Sequence, residues 1–180
     1  MSRRWPAPAK RKCRRARDDG GMHTRYIDGL RIRLLRNGDT DTVEALFALG
    51  PHSREQRFCG AKPQLSDAEL TALARVDRDH HVLVGYLDGD PQPVGMARLA
   101  RVGAAAEVAF EVADAYQGRG IGSTLARELA ADARASGIRE LVATVCGDNV
   151  PSVSLLKSVA ESLRMTWRGR ERVFVIGLEG

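Results

Sequence analysis

The sequence predicts an α/β protein: a mixed, mostly antiparallel sheet of about seven strands with helices on both faces. Three observations predict it. Segments with the two-residue period of strands alternate with segments of helical period along the chain. Three strand-like segments between residues 81 and 112 are separated only by tight turns, which makes an antiparallel meander. A later segment, 141–146, follows a long helical stretch and is apolar on both faces apart from Thr144, the pattern of a central strand covered on two sides.

The elements follow in order. Ordered structure is expected to begin near Gly29, where Ile32 and Leu34 alternate with Arg31 and Arg33. Asp39 or Thr40 caps a helix carrying Val43, Leu46, Phe47 and Leu49, which Gly50-Pro51 stops. Residues 52–63 read as irregular. Ser66 and Glu69 form a capping-box pair ahead of Leu70, Leu73 and Val76, so a second helix is expected to run to Val76. Strands at 81–87, 94–102 and 106–112 turn at Asp88-Gly89-Asp90-Pro91 and at Gly103-Ala104. A long helix over 120–136 places Ile121, Leu125, Leu129 and Ala133 on one face, and Gly137 ends it. After the strand at 141–146 come a helix over 150–159 and a closing hairpin, 162–168 and 172–178, around Arg168-Gly169-Arg170.

The charge belongs to one end. The 180-residue chain is 43% hydrophobic and carries a net charge of +5. Residues 1–20 hold eight Lys/Arg and two acids, +6, so the remainder sums to −1. Residues 1–25 lack apolar periodicity and read as a disordered basic arm preceding a single domain over 26–180. Nucleic acid is therefore not an expected partner of the folded part. Cys13, Cys59 and Cys146 lie far apart with no C-x-x-C pair, and the four histidines supply no matching metal spacing. Neither a zinc site nor a disulfide framework is expected, in keeping with a reducing cytoplasm. No apolar run is long enough to cross a bilayer, so no membrane partner is expected.

The chemistry-bearing segment is Val112-Ala113-Asp114-Ala115-Tyr116-Gln117-Gly118-Arg119-Gly120-Ile121-Gly122. A strand feeds a short glycine-rich loop, which opens a long helix. The first N–H groups of a helix have no intrahelical partner and sit at the positive end of its dipole. Such a terminus holds an anion such as a pyrophosphate. Gly118, Gly120 and Gly122 keep side chains out of the way of the backbone, and Arg119 can add a charged contact. A P-loop would need a lysine before Ser123-Thr124, and a dinucleotide fingerprint would need glycine in place of Ser123; neither is present.

The run Gln117-Gly118-Arg119-Gly120-Ile121-Gly122 resembles the Q/R-x-x-G-x-G/A signature of the GNAT acyltransferases, a resemblance that extends from Leu30 to the C-terminus and includes Val112 and Asn149. More narrowly, residues 53–58 (Ser-Arg-Glu-Gln-Arg-Phe), Leu65-Ser66, Val76-Asp77, His80-His81 and residues 106–109 are similar to the GNAT domains of bacterial protein lysine acetyltransferases. The resemblance implies acetyl-CoA as acyl donor, its pyrophosphate on residues 117–123 up to Ser123. It implies pantetheine against the N–H groups of Val112 and Asp114, with Val112 also an oxyanion donor, and support of the cofactor arm by Asn149. It implies direct transfer to an amine, either a protein lysine or a small molecule. A cytoplasmic monomer or homodimer is expected.

A free lysine has a pKa of about 10.4, so a nearby base helps it to attack. Glu107 matches the position at which the lysine-acetylating relatives carry a catalytic glutamate. By strand period Glu107, Ala109 and Glu111 share one face, and Glu111 is the second choice. The family's frequent proton-donating tyrosine, seven residues after the asparagine, falls on Leu156, which cannot donate; water can serve a thiol of pKa about 8.5. Leu156 also keeps open a non-catalytic acyl-CoA sensor.

Overall fold

The computed structural model describes residues 14–17, 23–48, 52, 55, 58–59, 64–147 and 149–178. Its elements are β1 (Arg14–Arg17), β2 (His23–Ile27), β3 (Leu30–Leu34), α1 (Thr40–Ala48), α2 (Asp67–Leu73), β4 (His80–Leu87), β5 (Pro93–Val102) and β6 (Ala105–Val112), then α3 (Ile121–Ala135), β7 (Glu140–Cys146), α4 (Val150–Lys157), β8 (Ser162–Arg168) and β9 (Glu171–Gly177). A single 3₁₀ turn, Asp114–Tyr116, joins β6 to the glycine loop.

The α/β class holds, with nine strands among the described residues in the order β1-β2-β3-β4-β5-β6-β7-β9-β8. All neighbours are antiparallel except β6 and β7. The two added strands lie where an unstructured arm was expected. β1 and β2 pair in antiparallel register, and β2 pairs with β3. What holds β2 is visible only in three dimensions. Arg25 reaches α3, with Nη1 2.9 Å from Glu128 Oε2 and Nη2 2.6 Å from Asp132 Oδ1. Residues 1–13 and 18–22 of the expected arm lie outside the described residues.

The local signals for helices hold. Asp39 caps α1 by accepting from the Thr42 N–H at 3.1 Å. Ser66 and Glu69 form the capping box of α2, whose last helical residue is Leu73 rather than Val76. Of the 52–63 stretch read as irregular, His52, Glu55 and Phe58 have helical backbone.

Helices cover the two faces of the sheet. Val43, Leu46 and Phe47 of α1 and Leu73 of α2 pack with Val82, Val84, Tyr86 and Met96 on one face. Ile121, Leu125, Leu129 and Ala133 of α3, with Leu156 of α4, pack with Ala97, Leu99, Val108, Leu141 and Ile176 on the other. β7 departs from its expected burial: Leu141, Ala143 and Val145 are buried, whereas Thr144 is exposed and Val142 is half-buried. One face of this central strand therefore opens to a cavity.

The cysteines also depart from expectation. Cys59 is disulfide-bonded to Cys146 across 87 residues of sequence, with their Cα atoms 5.5 Å apart. The spacing gave no sign of it, because folding alone brings Cys59 to the end of β7.

Candidate active site

The site arises from an incomplete ladder. β6 and β7 pair in parallel at Ala105↔Glu140, Ala106↔Leu141 and Glu107↔Val142, and the pairing ends there. β6 continues to Val112 and β7 to Cys146, so the two strands part. Between them opens a cavity of about 500 Å³, walled by residues 108–112 of β6, residues 143–145 of β7, the glycine loop and the start of α4.

Backbone alternation decides what β6 offers to this gap. In an antiparallel pair, successive N–H groups point to opposite edges. The Ala113 N–H donates to Val94 O at 3.0 Å, on the β5 side. In the register Gly95↔Val112, the N–H of Val112 therefore points to the other edge, toward the gap, as does that of Phe110.

The glycine loop closes one end. Gly118 and Gly120 have φ of +70° and +79°, values that L side chains rarely adopt, and a Cβ on either would meet nothing within 4 Å. Gly120 is the N-cap of α3 and brings no capping side chain to its first turn. The fit to a diphosphate rests on this cradle of main-chain groups at the positive end of a fifteen-residue helix. Gly122 lines the cavity and also serves packing. A Cβ there would lie 2.9 Å from Leu155 Cδ1 and 3.4 Å from Val112 Cγ2, so this glycine lets α3 approach α4 and β6.

Most of the residues expected at the cofactor line the cavity: Val112, Gln117, Gly118, Gly120, Ile121, Gly122, Ser123 and Asn149. Gln117 Nε2 donates to Val112 O at 3.2 Å, tying loop to strand. Asn149 caps α4 by accepting from the Ser152 N–H at 3.0 Å. Two expected residues stand outside the lining. Arg119 Nη2 donates to Ala115 O at 3.0 Å, and the guanidinium lies 5.1 Å from the centre of the Tyr116 ring. Asp114 accepts from the His52 N–H at 3.0 Å and so anchors the segment carrying Cys59.

The two acids separate. Glu111 is 4% exposed and lines the large cavity, whereas Glu107 is exposed and lines a second, smaller cavity of about 100 Å³ with Arg98 and Thr144. Val108, Ala109 and Thr144 belong to both walls, so the two cavities adjoin at the point where β6 and β7 part. Sequence reasoning did not single out His52, Ser152 and Ser154, which also line the large cavity, or Arg98 in the small one. Arg57 lies outside the described residues. Among the described residues no group of His, Cys, Asp and Glu could hold a metal ion.

The profile of the Acetyltransferase (GNAT) family matches residues 47–159, more than half of the chain. The chain belongs to the GNAT acetyltransferase family. It is 33% identical over 116 residues to an acetyltransferase of Pseudomonas aeruginosa, covering 61% of this chain and 62% of that protein. It is 36% identical over 104 residues to the acetyltransferase Pat of Mycolicibacterium smegmatis, covering 56% of this chain and 30% of Pat. The matches thus span less than two thirds of either relative. Among solved structures, the GNAT domain of S. lividans PAT superposes with a TM-score of 0.75 at 24% identity, over 92% of this chain and 97% of that one. A cAMP-binding acyltransferase from Mycobacterium smegmatis superposes with a TM-score of 0.59 at 24% identity, over 94% of this chain and 48% of that one. Among the described residues no helix is long and apolar enough to cross a membrane.

Proposed function

We propose that this GNAT protein transfers the acetyl group of acetyl-CoA to a primary amine by direct attack. The observation that carries the reading is the cavity where β6 and β7 part, closed at one end by Gly118, Gly120 and the start of α3. Main-chain N–H groups of residues 117–123 would hold the diphosphate. The pantetheine arm would run along the edge of β6 that faces the cavity, against the main chain of Val112 and Asp114, with Asn149 and α4 on the far side. Acetyl-CoA supplies an activated acyl group on a thiol leaving group.

The chain's own residues position and deprotonate. The N–H of Val112, directed into the gap, faces the oxygen on which charge develops, and such donors are worth about 10²–10³ in rate. Glu107 takes the proton of the amine arriving through the small cavity, and Glu111 is the alternative base. Val108, Ala109 and Thr144, common to both cavities, mark where amine and thioester would meet. Leu156 is 1% exposed and packs in the core, so it donates nothing; water or the Ser154 hydroxyl in the cavity wall serves the departing thiolate.

A protein lysine as acceptor is supported by the likeness of residues 53–58, 76–81 and 106–109 to lysine-acetylating GNAT domains. A small-molecule amine is the alternative. The cytoplasmic location belongs to the same proposal, and there the Cys59–Cys146 pair would be kept reduced.

Calorimetry with acetyl-CoA, followed by mass-shift screening of protein and amine acceptors, tests the reading. Glu107→Gln is expected to lower kcat by about 10²–10⁴ with the affinity for acetyl-CoA unchanged. A full rate in that variant transfers the base role to Glu111. No measurable affinity for acetyl-CoA removes the whole reading.

A further inference from the structure

The small cavity beside Glu107 contains a cation that the proposed transfer does not use. Arg98 of β5 is half-buried, and its Nη2 donates to Ala72 O at 3.0 Å. Its Nε is buried and has no hydrogen-bond partner among the described residues, and no carboxylate lies within ion-pair distance of it there. Burial pushes its pKa down, Glu107 acts in the opposite sense from across the cavity, and Arg75 adds a second positive charge nearby. A half-buried guanidinium with an unfilled donor is costly, because a charged group taken from water needs hydrogen-bonding partners.

Register fixes the spacing. Arg98 faces Ala109 across the β5–β6 ladder and Ala100 faces Glu107, so Arg98 and Glu107 are diagonal neighbours on one sheet face. Diagonal neighbours lie about 7–8 Å apart, and their Cβ atoms somewhat less. The cavity therefore presents an anion and a cation side by side.

We propose that Arg98 is the specificity-determining residue of the acceptor cavity, binding a carboxylate that the acceptor carries close to its reactive amine. The inference rests on the proposed transfer. The amine is directed to Glu107 and the carboxylate to the Arg98 guanidinium, whose planar fork matches a carboxylate better than a lysine ammonium would. The same chemistry occurs in a lysine side chain followed by Asp in a peptide, and in a free amino acid.

The test uses two isosteric pairs on the full chain with acetyl-CoA. One pair is peptides containing Lys-Asp or Lys-Asn; the other is β-alanine or β-alaninamide. In at least one pair the acidic member is expected to show a kcat/KM about tenfold higher than its neutral partner, the size expected of one charge-assisted hydrogen bond. The pair that shows it identifies the source of the carboxylate. Arg98→Gln should bring that ratio to near one, and Arg98→Lys should leave an intermediate value. Should Arg98→Gln fail to fold, Arg98→Lys decides alone. A ratio that survives these substitutions, or no preference in either pair, overturns the proposal. So does a protein that neither acetylates nor, by calorimetry on the acetyl-CoA complex, binds any acidic probe. Loss of the ratio in Arg98→Gln together with an unchanged rate in Glu107→Gln would leave this inference standing and remove the base assignment.

Discussion

The two ends of the β6–β7 seam are built from similar residues and behave in opposite ways. At Ala105–Glu140 to Glu107–Val142 the parallel ladder is intact, and Ala106 and Leu141 are buried at 0% and 1% exposure. From residues 108 to 112 the partner strand is gone, and the same kind of apolar chain walls a cavity of about 500 Å³. Hydrogen-bond pairing closes the seam in the first half. Its loss opens the cavity in the second half. Residue type does not separate the halves; the divergence of two backbones does.

The sharpest way to break this comparison is in the closed half. Leu141→Ala should cost about 2–5 kcal/mol of stability, as a fully buried leucine that leaves a cavity behind. The check is denaturant unfolding, and the affinity for acetyl-CoA of the variant that remains folded should change little.

The Cys59–Cys146 bridge sharpens the comparison at the open end, since it fastens Cys59 to the end of β7. Reduction, or the double change Cys59→Ser with Cys146→Ser, should cost about 2–4 kcal/mol for so long a loop. Unfolding curves with and without reductant check it, and coincident curves would show that the bridge contributes nothing.

Gly120→Ala tests the open half itself. Forcing an alanine to φ near +79° costs about 1–2 kcal/mol. The larger consequence should be weakened binding of acetyl-CoA, read by calorimetry, because the backbone at the N-cap must shift to relieve the strain.

The smallest effect lies away from the seam. Burial opposes ionisation of Asp132, but hydrogen bonds from His81 and Arg25 outweigh it and hold its pKa below the usual carboxylate value. A lowered folded-state pKa gives stability that is present above the unfolded value and lost as pH falls through the folded one. Asp132→Asn should therefore lower stability near pH 7 by under about 1 kcal/mol, the scale of partly exposed ion pairs. The difference from the parent should vanish below the carboxylate range, which unfolding across pH measures.

Much of the fold was legible because its signals are local. The Ser66–Glu69 box, the four-residue spacing along α3 and the turns around Gly89 and Gly103 each depend on neighbours within one or two turns of chain. The site was legible in part for the same reason: a strand, a glycine loop and a helix start are consecutive in sequence, and eight of the ten expected cofactor residues line the cavity. The stacking of Arg119 on Tyr116 was not legible because it depends on the conformation of the loop. Arg98 was missed because it lies on a different strand from Glu107, and only register makes them neighbours.

By itself, then, the sequence determined what chain neighbours can settle. It set the elements, their caps and the glycine-rich helix start, since propensity, periodicity and backbone freedom act over a few residues. The tertiary structure alone decided the parting of β6 from β7, the contact between Gly122 and Leu155, the joining of Cys59 to Cys146, the ordering of β2 by Arg25 and the placing of Arg98 and Glu107 in one cavity. Each of these brings together groups that no local rule relates, and their distances exist only once the sheet has twisted and its helices have packed.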